Sequence, residues 1–303
     1  MVPRWSPKPR SLHRRADLLV RGVHPRRLAS TEFIEVIPGW CTPSDAPARL
    51  EVIARTLQRS VLPGAVICHA TAAELLEVPL PREHEYAQSL LVHCLLPPGR
   101  PRRRPTPRLH VHTGPDRPSS RIRGVAISGP VALLAELSRT LSHTQLVAAA
   151  DQLVGPHSRL RPRPTAAQLR DLVAAATGTY RITRVRRAVA LARDRVESPK
   201  ETETRLLLLH AGFAEPVINL EVRAPLTGET FRLDLSYPAL RLAIEYDGFW
   251  HSTDRVRHRR DRRKDDVLHE LGWRVVRASD ADLADPHALL GRLRHLQAPL
   301  ARA

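Results

Sequence analysis

Residues 230–247 read TFRLDLSYPALRLAIEYD, and the pairing of that stretch decides the fold of the carboxyl-terminal third. Two β-rich segments, Thr230–Tyr237 and Arg241–Asp247, flank Pro238-Ala239-Leu240, which marks a tight turn. The two-residue period of a strand places Leu233, Leu235, Leu242, Ile244 and Tyr246 in one alternating set and Asp234, Glu245 and Asp247 in the other. With the turn centred on Ala239-Leu240, Asp234 is expected opposite Glu245, so that three carboxylates gather at one end of a sheet. Like charges so placed raise one another's pKa unless a cation sits among them, which points to a divalent-metal site formed by Asp234, Glu245 and Asp247. An all-oxygen donor set favours Mg2+ or Mn2+.

Upstream, Ser198-Pro199-Lys200-Glu201 is a helix start: Ser as N-cap, Pro at the first helical position, Glu at the third. The apolar run Leu206–Leu209 continues that helix to a stop at Gly212. A further β-rich segment, Val217–Arg223, and a turn at Pro225–Gly228 complete a three-stranded meander.

This order of a helix carrying a glutamate, Asp234 on one strand and Glu245-Tyr246-Asp247 on the next resembles the PD-(D/E)xK core of the restriction-endonuclease-like superfamily. Residues 245–279, EYDGFWHSTDRVRHRRDRRKDDVLHELGWRVVRAS, are similar to the very-short-patch-repair (Vsr) branch. They share an aromatic pair before a histidine, an Arg-Asp-Arg-Arg run and a Leu-Gly-Trp-Arg-Val strand, and the resemblance covers about residues 196–296. It implies an α/β/α nuclease core and a DNA endonuclease that nicks its substrate by metal-dependent, in-line phosphodiester hydrolysis.

By position the resemblance makes Asp234 the central metal ligand, puts Glu245 and Asp247 at the second carboxylate and the next functional side chain, and matches His251 to the histidine after the aromatics. Glu201 matches the first-helix glutamate, yet it is also the reciprocal partner of Ser198 in a capping box. Glu203 is the substitute, since residues two apart lie about 200° apart on a helix and only one can face the site. The usual motif lysine is absent, Asp247 standing in its place. Lys264, on the following helix, is the lysine that could migrate in, and His251, with an intrinsic pKa of about 6.5, is the other base. Arg257, Arg259, Arg260, Arg262 and Arg263 would hold the DNA backbone, with Asp261 or Asp266 orienting His251 or Lys264; such a mixed-charge run is as readily a solvated helix face. Phe249 and Trp250 either wedge between base steps or pack against Trp273.

Towards the amino terminus, residues 21–43 read RGVHPRRLASTEFIEVIPGWCTP. A helical stretch at Ala16–Val20, a turn at Gly22, a segment His24–Ser30 and a β-rich Phe33–Pro38 are how a winged helix-turn-helix begins. The segment resembles the amino-terminal region of AbiEi-family antitoxin-like proteins, which implies a winged helix-turn-helix over about residues 11–60. Residues 1–10 read as a disordered tail without the apolar core of a signal peptide. Residues 61–160 read as a mixed α/β region with a basic loop at Pro97–Pro107, and 161–195 as a basic helical connector whose helix opens on Thr165 and Gln168 at capping-box spacing. Residues 196–303 are the nuclease-like domain, and no catalytic constellation is visible before it. The expected fold is therefore multidomain α/β.

A chain of 303 residues has room for two or three domains of roughly 100–200 residues. Its formal charge of +17 makes DNA the first partner to test, although only three of its 48 basic residues, Lys8, Lys200 and Lys264, are lysine, a bias that GC-rich coding also produces. Cys41, Cys68 and Cys94 lack paired spacing, which argues against a zinc cluster or a disulfide framework and fits the cytoplasm. The apolar runs stop well short of the ~20 residues that span a bilayer, so no membrane partner is expected. A homodimer and an unidentified toxin or repair partner are both compatible with these readings. The alternative function is a non-catalytic DNA-binding regulator or antitoxin of the AbiEi type that retains a nuclease-like domain.

Overall fold

The computed structural model describes residues 8–96, 99, 107–115, 117–225, 227–247 and 255–301, with the backbone alone for 255–261. The chain is mixed α/β and divides into two compact units, residues 1–154 with 158–191, and 155–157 with 192–303. Phe249, Trp250 and His251, and most of the Pro97–Pro107 loop, lie outside the described residues.

The first unit opens with β1 (His13–Arg14), α1 (Arg15–Val20), α2 (Pro25–Leu28), β2 (Phe33–Ile37) and β3 (Trp40–Pro43). The strands form an antiparallel sheet in the order β1-β3-β2, and Leu18, Val23, Leu28, Phe33 and Cys41 make a small core of their own. Gly22, at φ +81°, supplies the left-handed turn between the two helices that other residues adopt only at a cost. After α3 (Leu50–Thr56) come β4 (Val66–Ile67), α4 (His69–Leu75), α5 (Tyr86–Ser89), β5 (Val92–Leu96), β6 (Leu109–Thr113), β7 (Ser119–Ile122) and β8 (Val125–Ser128). These strands form a second sheet, ordered β6-β5-β4-β8-β7, in which β5 and β6 run parallel. Helices α6 (Pro130–Leu137), α7 (His143–Val154), α8 (Ala166–Ala175) and α9 (Ile182–Ala190) follow. Thr165 and Gln168 form the capping box that their spacing predicts. The stretch read as one basic connector is thus two helices, α8 and α9, that pack on each other and on α7.

The second unit runs α10 (Pro199–His210), β9 (Val217–Arg223), β10 (Thr230–Tyr237), β11 (Leu242–Tyr246), α11 (Arg255–Glu270), β12 (Arg274–Ala278), α12 (Asp280–Ala284) and α13 (His287–His295). Its sheet has the order β12-β11-β10-β9, antiparallel except for the parallel β11–β12 pair that α11 connects. Helix α10 starts as read: the Ser198 hydroxyl accepts from Glu201 N and Pro199 occupies the first turn, where no amide hydrogen is needed. It ends at Gly212, φ +82°, which lets Phe213 N donate back to the Leu208 carbonyl at 3.0 Å and turns the fully buried Phe213 ring into the core.

The β10–β11 hairpin has the register that the sequence predicts, Leu235 opposite Ile244 and Ser236 opposite Ala243. The alternation does not run through unbroken. Leu235 and Ile244 lie in the core with Leu208, Phe213 and Leu293, whereas Leu233 lies in a separate cluster with Ala243, Leu268 of α11 and the partly buried Trp273. Leu233 and Leu235 therefore serve different faces, and the break between them falls on Asp234. Truncating Leu235 to Ala is expected to cost about 2–5 kcal/mol in urea unfolding, because the cavity adds to the lost burial. Val217→Ala, at a position 42% exposed, should stay within about 0.5 kcal/mol of the parent.

Candidate active site

The ladder of the second sheet is interrupted at Asp234 on both sides. Pairing of β10 with β9 skips the position where Asp234 faces Asn219, and pairing with β11 stops at Leu235. Asn219 is buried at φ +48°, a conformation that asparagine tolerates better than the β-branched residues around it. Freed from the ladder, Asp234 N turns to Glu245 Oε1 at 3.3 Å, and Asp234 Oδ2 accepts from Tyr246 N at 3.0 Å. The two carboxylates are thus locked to each other through main-chain amides.

Lys264 reaches this pair from α11, its Nζ donating to Glu245 Oε2 at 2.5 Å. Glu201 approaches from α10, only 6% exposed, with Oε2 accepting from Asn219 Nδ2 at 2.8 Å and from Glu197 N at 3.0 Å. Its carboxylate caps the chain one residue before Ser198, so the reciprocal half of the expected capping box goes to Glu197. Asn219 also exchanges bonds with the Arg195 main chain and side chain, which pins the entry of α10 to β9. Sequence reading passed over Asn219; its signal is a single asparagine between Ile218 and Leu220 of a β-rich run.

The electrostatics follow from burial. Desolvation, with the Asp234 carboxylate second, pushes Glu201 up to about 7. Asp234 and Glu245 are also raised, chiefly by burial, against the pull of the Lys264 ammonium. Two partly buried carboxylates share the Lys264 ammonium, and the buried Glu201 adds a third acidic group beside Asp234, so added positive charge is favourable there.

The other expected site residues are placed elsewhere. Asp247 is 59% exposed and faces Arg277 at 3.7 Å, at the end of β11 and apart from the Asp234–Glu245 pair. Asp247 N still donates to the Ala278 carbonyl at 2.7 Å, and of the three expected carboxylates it is Asp234 and Glu245 that the hydrogen bonds join. Glu203 is taken by Lys200 at 2.8 Å, which also holds Asp280 at 2.9 Å; of the two helix glutamates it is Glu201 that faces Asp234. Arg263 pairs with Glu229 at 2.9 Å, Arg262 and Asp266 are exposed, and Asp265 engages Arg277 at 2.5 Å. The side chains of Arg257, Arg259, Arg260 and Asp261 lie outside the described set, as do Phe249, Trp250 and His251. In the first unit, Cys41, Cys68 and Cys94 are free, buried thiols. Cysteine spacing gave no hint of a metal centre there, yet Cys68 and several histidines lie close together.

Since the folded chain keeps the Glu201 proton up to about pH 7 and the unfolded chain releases it near its ordinary value, this carboxyl lowers stability progressively as pH rises through that window. Glu201→Gln is therefore expected to stabilise the second unit by on the order of 1–3 kcal/mol at pH 8. The gain should shrink as the pH falls towards 5, read by urea unfolding at both pH values.

No protein-family profile matches the chain. It is 30% identical over 236 residues to Uncharacterized protein MT2308 and to Uncharacterized protein Rv2248, from Mycobacterium tuberculosis strains CDC 1551 and H37Rv, an alignment spanning 77% of this chain and 81% of each relative. Among solved structures, the RV2827C protein from Mycobacterium tuberculosis matches over 71% of this chain and 84% of that one at 17% identity and a TM-score of 0.37, too loose a likeness to assign a fold. With 30% identity held over three-quarters of its length, the chain belongs to the family of MT2308 and Rv2248 of Mycobacterium tuberculosis.

Proposed function

We propose that the second unit is a metal-dependent DNA endonuclease domain with a Vsr-like PD-(D/E)xK core, and that a winged helix-turn-helix of the AbiEi type in the first unit directs it to DNA. The observation that carries this reading is the joining of Asp234, Glu245 and Lys264, from β10, β11 and α11, at one interruption of the sheet. The element order helix, three antiparallel strands, helix, parallel strand supports it. So do the net charge of +17 and the two short helices beside the β1-β3-β2 sheet. The reading carries a cytoplasmic location with it; no helix among the described residues is long and apolar enough to cross a membrane.

Asp234 and Glu245 fit Mg2+ or Mn2+, which bind through one or two carboxylates and leave positions for water and phosphate. A bound ion would polarise the phosphoryl oxygen, acidify attacking water and offset the leaving oxyanion. Lys264, fixed by Glu245 Oε2, places a cation beside the phosphate in the role of the motif lysine that Asp247 cannot fill. The Glu201 carboxyl, raised to about 7, can hold or release a proton at neutral pH, the property that a general acid or base needs. Arg262, exposed on α11, is available to a DNA backbone.

A second reading, a DNA-binding regulator with an inactive nuclease-like domain, is favoured by Asp247, which sits where the motif keeps lysine and is tied to Arg277. One assay separates the two. Purified full-length protein is expected to nick supercoiled plasmid with Mg2+ or Mn2+, and Asp234→Ala, Glu245→Ala and Lys264→Ala should each lower the rate by about 100-fold or more while DNA binding persists. Nicking that survives Asp234→Ala and Glu245→Ala contradicts the enzyme; binding without nicking in the parent protein selects the regulator.

A further inference from the structure

The five-stranded sheet of the first unit gathers four histidines that the nuclease reading does not use. Strands β5 and β6 run parallel with His93 beside His110 and Leu95 beside His112. Neighbours across a ladder and residues two apart on a strand share a face, so His93, His110 and His112 project together. His93 Nδ1 and His112 Nε2 are 3.0 Å apart, and the His110 and His112 rings lie 4.3 Å apart at 7°. One nitrogen from each of the three lies within 4.8 Å of the other two. Four-coordinate Zn2+ held by imidazoles at 2.0–2.1 Å needs its ligand nitrogens about 3.3 Å apart, so the set closes by shifts of up to about 1.5 Å together with rotation of the stacked, exposed His110 ring out of its parallel alignment with His112.

We propose that His93, His110 and His112 bind one divalent late-transition-metal ion, Zn2+ being the representative, through three imidazole nitrogens, with a solvent-facing fourth position left to water. Three nitrogen donors without a carboxylate select this class over Mg2+ or Ca2+. Ligation requires neutral imidazole, the prevailing form at pH 7 of a side chain whose intrinsic pKa is about 6.5. His110 is exposed and gives the ion an entry path.

The surroundings support the site. His69, at the start of α4, stacks on His112 at 3.8 Å and 8°, fixing the central ring from its other side. Its amide donates at 2.8 Å to Glu136 Oε2, whose oxygen is also 3.8 Å from the His69 Nδ1. Glu136, 6% exposed and bonded by Ser128 Oγ at 2.9 Å, puts negative charge beneath the rings to offset an ion. Arg139 and Arg117 act in the opposite sense. A competing donor set, Cys68, His69 and His112, shares the central histidine; Cys68 is fully buried, whereas the His93–His110–His112 set opens to solvent through the exposed His110.

The test is a titration of chelator-stripped, full-length protein with Co2+, followed by Zn2+ competition. With Mg2+ in large excess to occupy the carboxylate site, the expected result is about one tightly bound Co2+ per chain, visible d–d bands of nitrogen and oxygen coordination without a thiolate-to-cobalt charge-transfer band, and displacement by Zn2+. His93→Ala, His112→Ala and His110→Asn should each weaken binding at least about tenfold. His110→Asn, on an exposed edge position, keeps the fold and so keeps the test decisive. Asp234→Ala should leave the bands unchanged, which separates this site from the carboxylate site of the second unit. Unaltered titration of His110→Asn and His112→Ala, or a charge-transfer band that Cys68→Ser removes, would overturn the proposal.

Discussion

The second unit depends on a constraint at one point of its sheet: Asp234 must leave the β-ladder while the strand that carries it stays buried on both sides. Leu235 and Ile244 hold one face and Leu233 and Ala243 the other, so the hairpin cannot slip its register without exposing four apolar side chains. The buried Asn219, in a left-handed conformation opposite Asp234, absorbs the distortion. The amide and carboxylate that the ladder gives up are then spent on Glu245 and Tyr246, which brings two acidic groups into a partly dry site. Lys264 is drawn in by that charge, whereas Glu201 is held against it by hydrogen bonds from Asn219 and the Glu197 amide.

Much of this was legible because it is local. The Ser198-Pro199 start, the Gly212 stop and the hairpin register each follow from a few adjacent residues whose backbone preferences agree. Lys264 stood out as a lysine in an arginine-rich helix that follows the acidic strand. Three things were not legible. Period-two reasoning joined Leu233 to Leu235 because it assumes an uninterrupted strand, and it could not show that the exposed Asp247 carboxylate faces Arg277 of the next strand. It also gave no role to Asn219, whose importance is conformational before it is chemical.

The histidine cluster was hidden for a different reason. His93 and His110 meet only because β5 and β6 pair in parallel, which requires a long connection that sequence spacing does not reveal. Cysteine arithmetic looks for short, paired intervals and is blind to donors brought together by a sheet. The two candidate centres also differ in chemistry: one is oxygen-rich and anionic, the other nitrogen-rich and neutral, and they lie in separate units of the chain.

The central claim is that Asp234 and Glu245 together form a cation site whose charge Lys264 only partly balances. Anomalous diffraction from crystals of the protein grown with Mn2+ tests it directly. The account predicts a manganese peak within about 2.0–2.3 Å of one carboxylate oxygen from each residue, with Lys264 still beside Glu245. Strong manganese peaks elsewhere, and none between Asp234 and Glu245, would contradict it.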